Sequence, residues 1–257
     1  MFGKIFTKAY LSIVILFIYV PIFVMFSMAF NESSLYELPF HFTLNWFEKL
    51  SQNYTLLSAG KNSLLIALLN TVVATTVGTM AAIALSRYQF RGKAILRSLL
   101  YVPITVPWLI LATAMLVFFF WAGIGRGLHV VLFAHVAVSL PYVILIVGAR
   151  LESFGAELEE AAATLGASPW QVFWRVSAPM MAPGLLAAAL FSFGISFDQF
   201  ATSYFLSSPG TTTLPVQIYT SIRKGFTPEI NAISGIVILV SMGLLVLVAR
   251  FYRFGGR

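Results

Sequence analysis

The sequence predicts an all-α integral membrane protein with six transmembrane helices. Hydrophobic residues make up 59% of the 257 residues, and charged residues make up only 10%. A soluble domain normally carries about 25% charged residues. Apolar runs of about 20 residues, the length that crosses the hydrocarbon core as a helix, also recur along the chain. We therefore expect a single transmembrane domain over residues 1–257.

The six spans are assigned to the six apolar runs in chain order. They are Tyr10–Phe30, Asn62–Leu85, Ser98–Trp121, Leu128–Ala149, Pro183–Leu206 and Asn231–Ala249. The first run is too long for a signal peptide and no small-x-small cleavage site follows it, so we expect it to remain as a span. Pro103, Pro107 and Pro141 lie inside spans three and four, where proline most often produces a kink.

Basic residues predict the orientation, because Lys and Arg are retained on the cytoplasmic side of membrane proteins. With the N-terminus inside, eleven of the 16 Lys and Arg residues fall on the cytoplasmic face. These eleven are Lys4, Lys8, Arg87, Arg91, Lys93, Arg97, Arg150, Arg175, Arg250, Arg253 and Arg257. Both termini are then cytoplasmic. The net charge of +7 is explained by this topology and by contact with anionic lipid headgroups, and the scattered basic residues do not indicate a nucleic-acid partner.

The segment between spans four and five is polar and carries four glutamates. An apolar stripe at helical spacing predicts a short amphipathic helix in it. The stripe consists of Leu151, Phe154, Leu158, Ala162 and Leu165. Gly166 stands where this helix should end, since glycine accepts the left-handed conformation after a helix. Ser168-Pro169-Trp170-Gln171 then combines a capping serine, a proline at the first helical position and a capping-box glutamine. We expect an elbow of two helices over residues 151–179, ending near Pro179.

Two interpretations of the elbow are open on periodicity alone. It could lie among the headgroups with its aromatic residues in lipid, or it could dock onto another protein. Glutamates are repelled by an anionic leaflet, and the segment is longer than a connection between spans requires, so docking is favoured.

The chain has no nucleotide-binding loop of its own. A P-loop requires Gly-x-x-x-x-Gly-Lys-Ser/Thr. Gly92-Lys93-Ala94 lacks the hydroxyl residue, and Arg87 stands where the first glycine belongs. We expect neither catalytic residues nor a cofactor on this chain, so any ATP hydrolysis must take place on a partner.

The elbow carries a recognisable signature. Glu160-Ala161-Ala162-x-x-x-Gly166, followed after nine residues by Val176-x-Ala178-Pro179, resembles the EAA motif of ATP-binding-cassette (ABC) importer permeases. That motif usually ends Ile-x-Leu-Pro, so Val176 and Ala178 are departures. Late in the chain, Leu214-Pro215-x-x-Ile218-Tyr219 and Pro228-Glu229-Ile230-Asn231-Ala232 resemble spermidine/putrescine importer permeases, in particular the second of their two permease subunits.

The resemblance implies a type I ABC importer permease (MetI-like) fold in the bacterial inner membrane, with the elbow as the coupling helix. It implies as partners a homologous permease, two ATPase subunits that hold ATP and Mg, and an extracytoplasmic substrate-binding protein, besides membrane lipid. It also implies that the motif residues couple the permease to the ATPase. These residues are Glu160, Ala161, Ala162, Gly166 and Pro179.

Asp198 is the only acidic residue inside a predicted span. An acid at that depth is costly and usually functional, although hydrogen bonds to Ser196, Thr202 or Tyr204 would give it a structural role. A carboxylate there would attract a cationic solute, and aromatic residues could add cation–π contacts to an ammonium group. We expect a solute pathway formed by Asp198, Gln199, Trp108 and Tyr204.

The identity of the solute stays open between several classes. Polyamine permeases typically carry a second aspartate where this chain has Gln199, and Pro-Asp where it has Pro107-Trp108. A polyamine is the leading expectation, with fewer charges than spermidine, and an opine or amino-acid-like solute is the alternative. A secondary transporter that works without ATP is a remote alternative, because the spans contain few ionisable groups for ion coupling.

No metal site is expected. His129 and His135 are six residues apart, do not share a helix face and have no companion ligands, so packed or interfacial histidines are favoured. The chain contains no cysteine, which excludes disulfides and thiolate metal sites.

Overall fold

The computed structural model describes residues 2–33, 37–225 and 228–255, with side chains for residues 6–33, 37–225 and 228–243. Twelve α-helices and one π-helical turn, Phe173–Ser177, account for most of this part of the chain. The helices are α1 Phe2–Met28, α2 Asn45–Gln52, α3 Tyr54–Arg87, α4 Lys93–Thr105, α5 Trp108–Trp121, α6 Leu128–Ser153, α7 Glu157–Thr164, α8 Pro169–Val172, α9 Ala178–Asp198, α10 Ala201–Leu206, α11 Leu214–Lys224 and α12 Glu229–Gly255. The all-α fold class is confirmed.

Each of the six predicted spans coincides with helix in the structure. Within the described residues, four stretches are long and apolar enough to cross a membrane: Phe6–Met28, Tyr54–Arg87, Leu128–Ser153 and Pro169–Asp198. The pair α4 and α5 makes a fifth if it crosses as one unit, and Glu229–Gly243 is a shorter apolar helix. Of the basic residues used for the orientation, Arg257 lies outside the described residues, as do the side chains of Lys4, Arg250 and Arg253.

Span three is not one continuous helix, and its break lies at Pro107, one of the two prolines at which the sequence predicts a kink in this span. The axes of α4 and α5 differ by 111° across the break between them. Val106 is extended and Pro107 stands just before α5, so the break falls where proline disfavours the helical conformation in the residue before it. Pro103 and Pro141 lie inside α4 and α6, neither of which is interrupted.

The predicted boundaries between the elbow and span five are wrong. The second elbow helix does not end near Pro179, because α8, the π-helical turn and α9 form one stretch over Pro169–Asp198. Proline is tolerated at the first position of a helix, and Pro179 lies at the start of α9. Span five is instead interrupted later, at Gln199 and Phe200, before α10 begins. At the other end of the elbow, α6 continues to Ser153, so only α7 is a separate first helix.

The contacts divide the chain into two compact units, Met1–Leu57 with Ile218–Arg257, and Ser58–Gln217. In the first unit, α12 packs against α1 and α2. Gly235 of α12 faces the Phe26 ring of α1. Asn31 holds the loop after α1, because its backbone oxygen accepts from the Trp46 indole at 2.7 Å and its side-chain oxygen accepts from the His41 amide at 3.0 Å.

In the second unit, the central contact is between α6 and α9. A buried cluster of small and branched residues joins these helices to α3, and its members include Ala74, Val143, Val147, Met181 and Ala188. Small residues in this cluster allow the helix backbones to approach closely, as is typical of helix packing inside lipid. Many of the large side chains elsewhere on the helices are exposed. The unit also contains the elbow and the break between α9 and α10, so it positions both candidate functional regions.

Candidate functional site

The first elbow helix, α7, ends in the manner that the sequence predicts. Gly166 has φ +88°, the left-handed conformation that favours glycine. Its N–H donates to the Ala163 carbonyl at 2.9 Å, and the N–H of Ala167 donates to the Ala162 carbonyl at 3.2 Å. This pair of bonds is the Schellman motif, and it satisfies two carbonyls that the helix end would otherwise leave unpaired.

The second elbow helix begins with the predicted capping box. Ser168 Oγ accepts from the Gln171 backbone N–H at 3.4 Å, and Gln171 Oε1 accepts from the Ser168 N–H at 2.9 Å. The aromatic rings that follow, Trp170, Phe173 and Trp174, contact one another with centroids 5.1–6.4 Å apart. Trp170 remains 70% exposed and Leu165, at the bend, 89% exposed. The elbow therefore presents a partly apolar surface next to a capped helix start.

Two adjacent glutamates of α7 have different environments. Glu160, the first residue of the EAA motif, is exposed, whereas the Glu159 side chain is only 18% exposed. Glu159 forms a salt bridge with Arg87 at the C-terminal end of α3, with Nε 2.9 Å from Oε2. The Ser177 hydroxyl also donates to Glu159, at 2.8 Å. Successive residues on a helix point about 100° apart, which allows one glutamate to face the protein and the next to face away.

The Arg87 guanidinium makes further contacts with the loop that precedes α7. Its Nη2 donates to the Gly155 carbonyl at 2.6 Å and to the Leu151 carbonyl at 3.4 Å. The guanidinium also lies over the Phe154 ring, 5.4 Å from the centroid. Arg87 thus binds the end of α6, the loop and α7 together.

The other predicted motif residues have simple surroundings. Ala161 and Pro179 are exposed, and Ala162 is half-buried. Sequence reasoning named Glu160 and missed Glu159 and Arg87. The sequence does show a second acid, Glu159, next to Glu160 and an arginine, Arg87, at the end of span two. These two residues are 72 positions apart, however, and no local pattern connects them.

The predicted pathway residues lie around the break between α9 and α10. Asp198 is the last residue of α9 and its side chain is exposed. The Ser196 hydroxyl bonds to His135 at 2.8 Å, and the buried Thr202 hydroxyl has no partner in the described part of the chain. Gln199, next in sequence, is 1% exposed and its amide oxygen and nitrogen also lack partners there.

The aromatic members of the pathway lie on neighbouring helices. Tyr204 is on α10, 39% exposed, and its ring stacks on Phe200 at 5.3 Å. Trp108 begins α5 and is 41% exposed. Because α5 packs against α10, both helices belong to the same side of the second unit. The structure therefore brings Asp198, Gln199 and Tyr204 to one break and leaves Trp108 on a helix beside it.

His135 is a buried polar residue of the second unit. His135 lies between two hydroxyls, with Nδ1 2.8 Å from Ser196 Oγ and Nε2 3.0 Å from Ser203 Oγ. The prediction of a packed histidine is confirmed for His135. No cluster of three or more His, Asp or Glu side chains suitable for a metal occurs within the residues that the structure describes.

The apolar helices define a multi-pass membrane protein. A family model described as "binding-protein-dependent transport system inner membrane component" matches residues 74–254, and the chain belongs to this family. It is therefore an inner-membrane permease subunit of an ABC transporter and not an enzyme.

Relatives with assigned names cover nearly the whole chain. The spermidine/putrescine transport system permease protein PotC of Haemophilus influenzae is 36% identical over 241 residues, covering 93% of each chain. PotC of Escherichia coli K12 is 32% identical, covering 97% of this chain and 96% of the relative. The putrescine transport system permease protein PotI of the same strain is 32% identical, covering 91% and 86%.

Solved structures show the same fold. A bacterial ABC transporter involved in the import of alginate contains a chain that superposes with a TM-score of 0.72 at 17% identity, covering 100% of this chain and 97% of that one. A chain of the MetNI methionine ABC transporter superposes with a TM-score of 0.61 at 18% identity, covering 84% and 100%. The predicted importer-permease fold is thereby confirmed.

Proposed function

We propose that this chain is one of two permease subunits of a polyamine importer, and that it moves a cationic solute through the inner membrane. The observation that carries the proposal is the identity of 32–36% over more than nine-tenths of the chain to permeases named for spermidine and putrescine. The whole chain, residues 1–257, acts as one permease domain with both termini in the cytoplasm. A homologous permease completes the pathway, and a binding protein delivers the solute from outside.

Energy enters through the elbow. Two ATPase subunits bind ATP and Mg and contact the exposed face of α7, where Glu160 and the 89% exposed Leu165 are accessible. Gly166 supplies the bend between the two elbow helices, and Pro179 lies where the elbow continues into α9. Since α8 and α9 form one continuous stretch, a displacement of the elbow is carried directly into span five.

The solute interacts with the break between α9 and α10. The exposed Asp198 carboxylate attracts an ammonium group, and in a low-dielectric pathway this attraction is much stronger than in water. Tyr204 and Trp108 add aromatic surface, and Gln199 offers hydrogen bonds without a charge. One carboxylate in place of two favours a polyamine with few charges. A single carboxylate would also attract the ammonium group of an amino-acid-like solute, which is therefore the second candidate.

The solute proposal is tested by uptake into vesicles containing the complete transporter, with its own binding protein. The panel contains putrescine, spermidine, an opine, amino acids and a neutral sugar. We expect uptake of putrescine or spermidine, loss of uptake in Asp198→Asn, and retention in the charge-conserving control Asp198→Glu. Uptake of only neutral or anionic solutes, or undiminished uptake by Asp198→Asn, would contradict the proposal.

The coupling proposal is tested with Glu160→Lys and Gly166→Leu. A side chain at Gly166 meets no atom within 4 Å, so its effect comes from the left-handed backbone, which costs about 1–2 kcal/mol for other residues. Both variants should insert normally and lose binding to the ATPase, measured by co-purification and ATP hydrolysis. Glu152→Lys, an exposed glutamate at the end of α6, is the matched control and should behave as wild type. Normal hydrolysis in both elbow variants would leave the elbow as an anchor in the headgroups.

A further inference from the structure

Arg87 and Glu159 connect three parts of the second unit that are far apart in sequence. Arg87 ends α3, and Glu159 lies in the first turn of α7. Their Nε–Oε2 distance is 2.9 Å, and a second contact joins Nη2 to Oε1 at 3.4 Å. Ser177, in the π-helical turn that leads into α9, donates to the same carboxylate at 2.8 Å. One carboxylate therefore joins α7 to both α3 and the start of span five.

The Arg87 guanidinium makes its hydrogen bonds through two of its three nitrogens, Nε and Nη2. Besides Glu159 it donates to the carbonyls of Gly155 and Leu151, and it lies over the Phe154 ring. Arginine presents five N–H donors in a planar fork, which lysine cannot reproduce. On its far side, the same ring lies 6.0 Å from the Arg150 guanidinium, whose Nε donates to the Met180 carbonyl at 2.8 Å. The end of α6 is thereby fixed to both neighbouring spans.

This ion pair is the only salt bridge within the residues described, and it is not part of the apolar core. The two side chains are 16% and 18% exposed, and they line an open cavity of about 470 Å³ between α3 and the elbow. Such a largely buried ion pair is weak evidence of a stabilising role, because apolar residues in its place are often equally or more stable. Its geometry is instead suited to hold α7 at a set position relative to α3.

We propose that Arg87 is a positioning residue that fixes α7 to the C-terminal end of α3 through Glu159, so that a force applied to the elbow moves spans two and five together. This inference rests on the proposed coupling of the elbow to an ATPase. Glu160 faces the ATPase. Glu159, one residue earlier, transmits the displacement of the elbow to α3 through Arg87. Without Arg87, α7 shifts against α3, and ATP hydrolysis is no longer linked to movement of the spans.

The test uses the complete transporter in lipid nanodiscs and the variants Arg87→Gln, Arg87→Lys and Glu159→Gln. The double variant Arg87→Glu with Glu159→Arg tests whether the pair itself is what matters. Arg91→Gln removes the same charge four residues further on, from an exposed arginine in the turn between α3 and α4, and is the matched control. Two quantities are measured. The first is ATP hydrolysis with and without the binding protein loaded with putrescine or spermidine. The second is the distance distribution between spin labels on Tyr88→Cys and on Ala163→Cys in α7. Both labelling positions are exposed, and this chain has no native cysteine.

We expect the ATP hydrolysis that the binding protein stimulates to fall about tenfold in each of the three single variants. This factor corresponds to the free energy of one charge-assisted hydrogen bond. Basal hydrolysis and assembly should persist, the label distance should become broad, and the charge-exchanged double variant should recover part of both readouts. Narrow distances and normal stimulation in Arg87→Gln, as in Arg91→Gln, would overturn the inference. If neither putrescine nor spermidine stimulates hydrolysis in the wild type, the proposed solute is wrong. The label distances, which need no solute, still decide the role of Arg87. Where Arg87→Gln does not accumulate, Arg87→Lys and Glu159→Gln provide the same comparison.

Discussion

The close contact between α3 and α6 at Gly78 provides a quantitative prediction. A β-carbon on Gly78 would lie 2.5 Å from Val143 Cγ1 and 2.8 Å from Val143 Cβ. Carbon atoms in contact are normally about 3.5–4.0 Å apart, so Gly78→Ala forces the two helices or the Val143 side chain to move by about 1 Å. Val143 is 1% exposed and Cβ belongs to the rigid part of its side chain, so no easy relaxation is available.

The expected cost is that of overpacking a core, about 1–3 kcal/mol. Gly148→Ala on α6 is the matched control, because its β-carbon meets no atom within 4 Å and it gains the same helix propensity, up to about 1 kcal/mol. The difference between the two variants isolates the steric cost, and it corresponds to about a 5- to 150-fold change in the unfolding equilibrium constant.

The assay is unfolding of the purified chain by sodium dodecyl sulfate in mixed micelles, followed by the fluorescence of its five tryptophans. Val143→Ala removes Cγ1 but leaves Cβ, so it should restore part of the stability lost in Gly78→Ala. The reasoning would be refuted if Gly78→Ala were as stable as Gly148→Ala, or if Val143→Ala made the Gly78→Ala chain no more stable.

Three further predictions concern topology, the polar core and the elbow. Single cysteines in Arg91→Cys and Lys224→Cys should be labelled from opposite sides of the membrane; labelling of Arg91→Cys by an impermeant reagent in intact cells would contradict six spans with both termini inside. Asn70→Leu removes the bonds from Nδ2 to Ser139 Oγ, Ser192 Oγ and the Ser192 carbonyl, all 3.0–3.1 Å long. Since such bonds contribute about 0.6 kcal/mol each inside membranes, we expect a loss of about 1–2 kcal/mol in the same unfolding assay, and an unchanged midpoint would count against it. Ser168→Ala removes the cap of α8, which contributes about 1 kcal/mol, and should speed amide hydrogen exchange at the start of α8 but not in α6. If the exchange rates at the start of α8 were the same in the variant and the wild type, the cap would not hold the bend.

Much of the elbow could be predicted from sequence because its determinants are local. The Gly166 bend and the Ser168–Gln171 capping box each depend on hydrogen bonds between residues three to five positions apart. The continuation of α8 into α9 was not predictable from the same pattern. Pro179 indicates either the end of a helix or the first turn of one, and only the observed backbone distinguishes the two.

The predicted pathway had a similar limit. The sequence identifies Asp198 as an acid in an apolar segment, but the helix ends at this residue and leaves its side chain exposed, while the adjacent Gln199 is buried. Helical periodicity places neighbouring residues on different faces, yet it does not say which face meets protein. That choice depends on the packing of α9 against α6.

The sequence by itself determined the class of this protein, because apolar runs of sufficient length have no stable state other than a helix in lipid, where every backbone polar group must be paired internally. It also determined the two elbow helices and the glycine between them, through short-range capping. Only the tertiary structure decided that α4 and α5 bend by 111°, that Asn70 binds serines on two other helices, and that Arg87 pairs with Glu159 rather than Glu160. Pro107 marks the break between α4 and α5 locally, but it does not specify the angle. The other two features join residues that are separated by dozens of positions, so they depend on how the helices pack and not on any local pattern.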